Sequence, residues 1–453
     1  MSFQQGLSGL NASSKNIEII GNNVANASTF GAKSSRAEFA DVYANALNGA
    51  GVNSIGIGVN LATVAQQFTQ GNITTTDNPL DLAINGSGFF QVSDGKNPTM
   101  YSRNGQFKIN RDGYIINNQQ QRLLGYPVDS NGVVKPGEAQ PLRLPTQGID
   151  PTATTQISLE LNLDSRSQPT QNAAAVNTID FNDPKTYNNA TSVTVYDVKG
   201  QPVALTYYFQ KTDTDKWNVY LTANGNSLSN TGTAPSLTAR PVASVAFPAS
   251  GQSPLGATGS PPAQGAPGSV TVYDQNFANP QTSATGSIKL PDIPGVTLAG
   301  GGTSEVIPGI QLNMASLFQY GSAFGVTNVT QNGYAPGQLA GLSIENNGVI
   351  TARYSNGKTR PAGQLELASF RNPQGLQAVG GNAWSATFGS GEPVRGAPGD
   401  GNFGVLQSGA LEESNVDLTA ELVNMITAQR IYQANAQTIK TQDQVLQTLV
   451  NLR

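Results

Sequence analysis

The 453-residue chain contains no cysteine and no histidine. Disulfides, Cys/His zinc sites, thiol nucleophiles, haem ligation by either residue and every imidazole base are thereby excluded. Only carboxylate, Ser/Lys or tyrosine chemistry is left. Charge is scarce: Asp, Glu, Lys and Arg make up 12% of the residues, and the net charge is −4. A chain without a basic face offers no surface on which phosphate contacts would dominate, which argues against nucleic acid as a partner. No apolar run approaches the roughly 18 residues that cross a bilayer, so no membrane insertion is expected. The opening Met1-Ser2-Phe3-Gln4-Gln5-Gly6 holds no cation before Lys15, unlike a cleaved secretory leader. The chain is therefore expected to be cytoplasmic or to leave the cell by a route that cleaves nothing.

Aromatic residues are also few, at 7%, whereas 50 glycines and 26 prolines are present. This composition reads as turn-rich β structure, and the length suggests two or three domains. The two ends depart from it. Phe3, Leu7, Leu10, Ile17, Ile20 and Val24 fall at helical spacing and form one apolar stripe. At the other end Leu418, Met425, Tyr432, Ile439 and Leu446 recur every seven residues, supported by Leu422, Ile426, Ala436, Leu449 and Val450. Ser414 and Asp417 give a cap signal, so a long helix is predicted over 415–453. Gln429 and Asp443 interrupt the second seam position, which favours a helix among several neighbours over a strict two-stranded coiled coil. Such helices gain little alone. Either the two ends pair with each other or they pair with copies of the chain, and they are expected to order on assembly.

Between the helices the period changes to two. Runs such as 88–92, 106–109 and 113–116 are separated by Asn85-Gly86, Asp94-Gly95, Asn104-Gly105 and Asp112-Gly113, the grammar of a β meander. It returns at 349–354 and 363–370 around Asn356-Gly357, and the middle holds alternating strands at 192–197, 203–209 and 217–221. Residues 26–75 are polar and weakly periodic and read as a connecting segment. Residues 231–268, rich in Ala, Pro, Gly, Ser and Thr, read as a long exposed loop or irregular insertion.

Motifs that could carry chemistry fail on context. Gly399, Gly401 and Gly404 match the dinucleotide fingerprint, but no strand leads into them and no amphipathic helix opens from them. Ser93 with Lys96, and Ser355 with Lys358, have Ser/Lys spacing but overlap hairpin turns. Asp213-Thr214-Asp215 lacks the rest of a calcium loop. No catalytic residue, cofactor or metal ligand set is expected, and the chain reads as a non-enzyme.

Three blocks carry a family resemblance. Asn22-Asn23-Val24-Ala25-Asn26-Ala27-Ser28-Thr29, with Gly31 and Lys33, resembles the N-terminal signature of flagellar rod and hook axial proteins. Asp77-Asn78-Pro79-Leu80-Asp81-Leu82-Ala83-Ile84-Asn85-Gly86-Ser87-Gly88-Phe89-Phe90 resembles the block that opens their β domain. Residues 407–418, running on to 425–435, resemble their C-terminal signature. The middle strands, with Tyr354-Ser355-Asn356-Gly357 and 370–376, are similar to the hook branch of the family. Phe30 and Ala32 depart from the usual order of aromatic and glycine, and 231–268 has no counterpart that aligns.

The resemblance implies a mainly β chain with α-helical termini: nested β domains plus a terminal, coiled-coil-like helical domain. Its expected parts are an N-terminal helix at 1–30, a connecting segment at 31–75 and an inner β domain begun at 76–148. An outer β domain follows, inserted at 149–322 with 231–268 inside it. Residues 323–408 would complete the inner domain, and 409–453 would form the C-terminal helix. The implied role is that of a structural subunit assembling into a curved hollow tube, a universal joint that passes motor torque to the filament. Phe3, Leu7, Leu10, Ile17, Val24, Leu418, Leu422, Met425, Tyr432, Ile439 and Leu446 would make the assembly interface. Implied partners are further copies in a helical homopolymer, the distal rod protein, the hook cap protein, the hook–filament junction protein and the flagellar type III export apparatus. The implied place is the flagellar hook, outside the cell after export. A distal-rod-like protein and a surface adhesin with helical oligomerisation ends are the rival readings; the adhesin would need an exposed aromatic platform or a calcium cage, and Trp217 and Trp384 each stand in strand-like context, which argues against it.

Overall fold

A computed structural model describes residues 2–42, 58–129, 132–145, 147–170, 179–231, 238–252, 269–273, 280–282, 287–298 and 300–451. The chain forms two compact units, one from 1–147, 339–353 and 357–453, the other from 148–338 and 354–356.

In the first unit both ends are helical: α1 spans Ser2–Ala25 and α2 spans Leu418–Asn451. Asp417 caps α2, its Oδ1 accepting the N–H groups of Thr419 (2.9 Å) and Ala420 (3.1 Å). Glu421 stands in the first turn, where the helix dipole favours an anion. Ser414 plays no part in that cap; its hydroxyl accepts the N–H of Val416 at 3.3 Å. The connecting segment holds an antiparallel hairpin, β1 (Ser35–Val42) and β2 (Gly58–Gln66), with Ser35 opposite Gln66 and a bulge at Glu38/Phe39. Neither strand buries a single residue, so neither shows the period-two signature that a buried face imposes. The chain between β1 and β2 lies outside the described residues.

The rest of this unit interleaves early and late strands. Ile73–Thr75 pairs with Ala410–Glu412, Leu82–Asn85 with Val405–Ser408, and Phe89–Ser93 with both Met100–Ser102 and Leu367–Ser369. Met100–Ser102 pairs on with Ala383–Ser385, and Arg122–Tyr126 with Thr359–Leu365. The β body is thus closed by strands more than 200 residues apart in sequence, the residues of the second unit being inserted between them in the chain. Its aromatic core is edge-to-face: Phe89 lies 5.6 Å from Phe68, 5.8 Å from Trp384 and 6.0 Å from Phe370.

Among the described residues the second unit has two main sheets that share its large core. Asn189–Tyr196, Pro202–Asp213, Lys216–Ala223, Ala243–Ala246 and Ser269–Tyr273 run antiparallel in that order. Gln156–Asp164 sits parallel to Gln311–Tyr320 and antiparallel to Gly325–Gln331. Alternate residues Ile157, Leu159, Leu161 and Leu163 meet Val203, Leu205, Tyr207, Phe209 and Trp217 in a shared core.

Two sequence expectations need correction here. Within 231–268, Val242, Ala243, Val245 and Phe247 are buried, and Ala243–Ala246 is an inner strand of the sheet. This part is not an exposed loop; Val242, Val245 and Phe247 supply apolar side chains to the core that Trp217 and Val219 share, and Ala243–Ala246 pairs beside Lys216–Ala223. Residues 232–237 and 253–268 of the same stretch lie outside the described residues. The inserted unit also runs past 322, because Gly325–Gln331 is an edge strand of its second sheet.

Candidate functional site

The two terminal helices lie antiparallel. The row Gly6, Gly9, Ser13 on α1 lets α2 approach closely: a Cβ on Gly6 would stand 3.0 Å from Ile439 Cγ1, and one on Gly9 3.0 Å from Asn435 Nδ2. Further down the pair, Asn23 Nδ2 donates to Glu421 Oε1 at 2.9 Å. Glu421, Ala428, Asn435 and Ile439 thus form the row of α2 turned to α1, with Ala428 buried. Of the residues expected at an assembly interface, Met425 and Ile439 are half-buried. Leu10, Ile17 and Val24 of α1 are half-buried too, Leu7 is exposed, and the side chain of Phe3 lies outside the described ones. Leu418, Leu422, Tyr432 and Leu446 are exposed, as is Ile426 of the supporting set, and so are Val423, Ile431 and Val445, which periodicity alone did not single out. One face of α2 is therefore satisfied by α1, and another stays apolar and wet.

The root of this pair is fastened by polar groups. The Asn23 carboxamide imitates a strand neighbour of Ser35, donating to its carbonyl (2.8 Å) and accepting its N–H (2.8 Å). Asn26 turns back on the exposed Asn22, its Nδ2 donating to the Asn22 carbonyl at 2.9 Å. Gly31, at φ +69°, donates its N–H to the Glu412 carbonyl (2.8 Å), and a Cβ there would lie 2.5 Å from Asn104 N. Two residues on, Lys33 Nζ reaches Glu412 Oε1 at 2.6 Å and the Thr69 carbonyl at 2.7 Å. Arg103 Nη1 meets Glu412 Oε2 at 3.1 Å, its Nη2 donates to the Gly86 carbonyl at 2.9 Å, and its guanidinium stands over the Phe89 ring. The Gly71 N–H donates to the same carboxylate at 3.0 Å. All three charged side chains are buried. Burial pulls the Lys33 ammonium and the Arg103 guanidinium below their usual ranges, and the Glu412 charge only partly offsets it.

The second signature block works as a clamp. Asp81 accepts the Thr76 hydroxyl (2.9 Å) and the Asn78 amide (3.0 Å), while its carbonyl accepts Ala410 N–H. The Asn78 Oδ1 takes the N–H of Leu80, and the Pro79 carbonyl takes the Ser408 hydroxyl. Gly86 (φ +117°) and Gly88 (φ +128°) turn the chain into buried Phe89 and Phe90. Arg103 had no local signal in the sequence; its importance comes from a partner 309 residues away. The glycine triplet at 399–404 is a closed loop, Gly399 N–H donating to the Gly404 carbonyl. Trp217 and Trp384, which an adhesin platform would expose, are both buried. Among the described residues no helix is long and apolar enough to cross a membrane.

Residues 3–33 match the family described as flagella basal body rod protein, and 407–452 that of the flagellar basal body rod FlgEFG protein C-terminal region. Residues 83–162 match the flagellar hook protein FlgE/F/G D1 domain, and 162–334 the flagellar basal body protein FlaE D2 domain. The flagellar hook protein FlgE of Escherichia coli strain K12 is 38% identical over 457 residues, covering 100% of both chains. That of Salmonella typhimurium strain LT2 is 37% identical over 455 residues, again over 100% of both. The crystal structure of Helicobacter pylori flagellar hook protein FlgE2 aligns with 75% of this chain and 100% of its own at 12% identity and a TM-score of 0.47. Because the sequence likeness runs through the middle as well as the ends, it favours neither the distal-rod nor the adhesin reading: the chain belongs to the family of flagellar hook proteins, structural subunits of a many-membered flagellar polymer in the hook.

Proposed function

We propose that the outer face of the terminal helix pair is the polymerisation surface, and that the polymer is a curved hollow tube acting as a universal joint in swimming. The observation that carries this is the exposed apolar surface of α2: Leu422, Val423, Ile426, Ile431 and Val445, off the row turned to α1, and Leu446, one heptad past Ile439, are each about half exposed. Completing the burial of six such side chains would contribute about 4–9 kcal/mol per subunit before the cost of association. Contacts between identical copies that repeat without closing are heterologous, so the face of α2 on one copy meets a different face on the next.

Helices packed continuously near the tube axis would resist twisting and so pass on torque. The β units supply a weakly charged shell of Asn, Gln, Ser and Thr, whose hydrogen bonds can be exchanged with water and with neighbours at modest cost as the tube bends. The scarcity of charge in the chain suits such a surface, since few fixed ion pairs would have to break. Export through the flagellar type III apparatus, assembly under the hook cap protein, and junctions with the distal rod and hook–filament junction proteins belong to the same reading. Negative-stain electron microscopy of the purified full chain, concentrated under polymerising salt, tests it. Hollow curved tubes are expected, and a chain that stays monomeric under every condition tried would refute the reading.

A further inference from the structure

We infer that Phe388 is an anchor by which one subunit grips a neighbouring copy of the same chain. Phe388 is 105% exposed, whereas Phe39, the next most exposed phenylalanine among the described residues, stands at 40%. A ring held wholly in water contributes nothing to its own fold and forgoes the gain of burial. Nor does it ride on a loose loop. Thr387 N–H donates to Ser390 Oγ (3.0 Å), Ser390 Oγ donates to the Thr387 carbonyl (2.8 Å), and Gly389 N–H donates to Thr387 Oγ1 (3.1 Å). The Ser390 side chain that closes this turn is buried.

The turn is also fixed to the β body. Asn372 Nδ2 donates to the Gly389 carbonyl at 2.9 Å, and the Thr387 hydroxyl donates to the Gly375 carbonyl. Backbones touch there so closely that a Cβ on Gly375 would lie 2.4 Å from the Gly389 carbonyl carbon. An aromatic side chain presented on a braced turn loses little freedom when it is covered, which is the property of an interface anchor. The same short 3-10 turn, Pro373–Gly375, leads into the strand Gln377–Gly380. That strand ends its sheet, pairs among the described residues only with Ala383–Ser385, and is exposed at all four positions. An edge with open backbone groups leading from an anchored aromatic turn is a surface built to be covered.

The occupant is a second copy of this chain. A subunit of a non-closing polymer must meet several non-equivalent neighbours, and the helix pair provides only one kind of contact. The inference rests on the polymer reading given above. It is tested on the full chain carrying a photo-cross-linking p-benzoylphenylalanine in place of Phe388 or, separately, of Leu422, irradiated after polymerisation and as dilute monomer. Cross-linked dimers and higher species are expected from both positions in the polymer and from neither in the monomer. Cross-linking at 422 without cross-linking at 388 overturns the anchor and leaves the helix reading standing; cross-linking at neither overturns both. Phe388→Ser is expected to raise the concentration threshold for polymerisation at least about tenfold with an unchanged melting temperature, and an unchanged threshold would equally overturn the anchor.

Discussion

Glu412→Gln is expected to destabilise the first unit by about 3–5 kcal/mol, because it leaves two buried cations with no anion between them. Lys33 and Arg103 converge on this one carboxylate from segments 379 and 309 residues away, and the Gly71 N–H binds it too. In the variant the Lys33 ammonium, already lowered by burial, would keep only neutral acceptors, the Thr69 carbonyl and the substituted carboxamide oxygen, in place of an anion. Lys33→Met provides the contrast. It leaves a neutral Arg103–Glu412 pair and fills the space with an apolar chain of similar length, so its cost should stay below about half that of Glu412→Gln. Urea unfolding of the purified monomer, followed by the fluorescence of Trp384 in this unit, measures both. Equal effects of the two substitutions, or a loss under about 1 kcal/mol for Glu412→Gln, would show that the carboxylate is not the tie between helix root and β body.

Leu422→Ser combined with Ile426→Ser should raise the polymerisation threshold at least about 30-fold while leaving the helix pair and both units folded. Each side chain is about half exposed in the single chain, so little intramolecular burial is lost. In the tube each would forfeit roughly 1–1.5 kcal/mol of further burial on every contact it makes. Light scattering against concentration reads the threshold, and circular dichroism confirms retained helix. Ile439→Ser separates the two faces of α2. Ile439 packs on Gly6, so its loss should loosen α1 from α2 in the monomer itself, visible as lower helicity before any assembly. If the double variant polymerised at the wild-type concentration, the outer row would not be the contact surface.

Much of this fold is legible in the residues. Two long amphipathic ends show in the spacing of Leu7, Leu10 and Ile17 and in the seven-residue recurrence from Leu418 to Leu446, because helix packing imposes that period. The middle strands show in the alternation around Val203, Leu205, Tyr207 and Phe209, since one face is buried and the other is not. What stayed hidden had no local cause to be seen. The β1/β2 hairpin lies along α1, with Val59 N–H donating to Ser8 Oγ, but buries no residue fully, so little imprints alternation on it. Ala243 and Val245 belong to an inner strand, yet their neighbourhood is written in the small residues of a loop. The parallel pairing of Gln156–Asp164 with Gln311–Tyr320 joins segments that no local signal links.

The candidate site divides in the same way. Periodicity marked α2 as apolar but could not say which row α1 would cover, and the answer came from small residues, Gly6, Gly9 and Ser13, on the opposite helix. The ion cluster is legible only in part. Lys33 and Glu412 stand inside blocks that a family resemblance marks, in a chain with few charges to spare, and Glu412 follows apolar Ala410-Leu411. Arg103 sits in a hairpin turn that looks like any other. A buried charge is defined by its partners, and those are set by the tertiary fold.

Hydrogen exchange compared between dilute monomer and assembled tubes, read at the amides of residues 5–25 and 420–448, addresses the polymer most directly. Exchange in both helices is expected to slow by at least about 100-fold on assembly, as copies of the pair cover the outer row of α2. Full protection already present in the dilute chain, with no further slowing after concentration, would mean that the termini complete their packing within one molecule and that the tube is held together elsewhere.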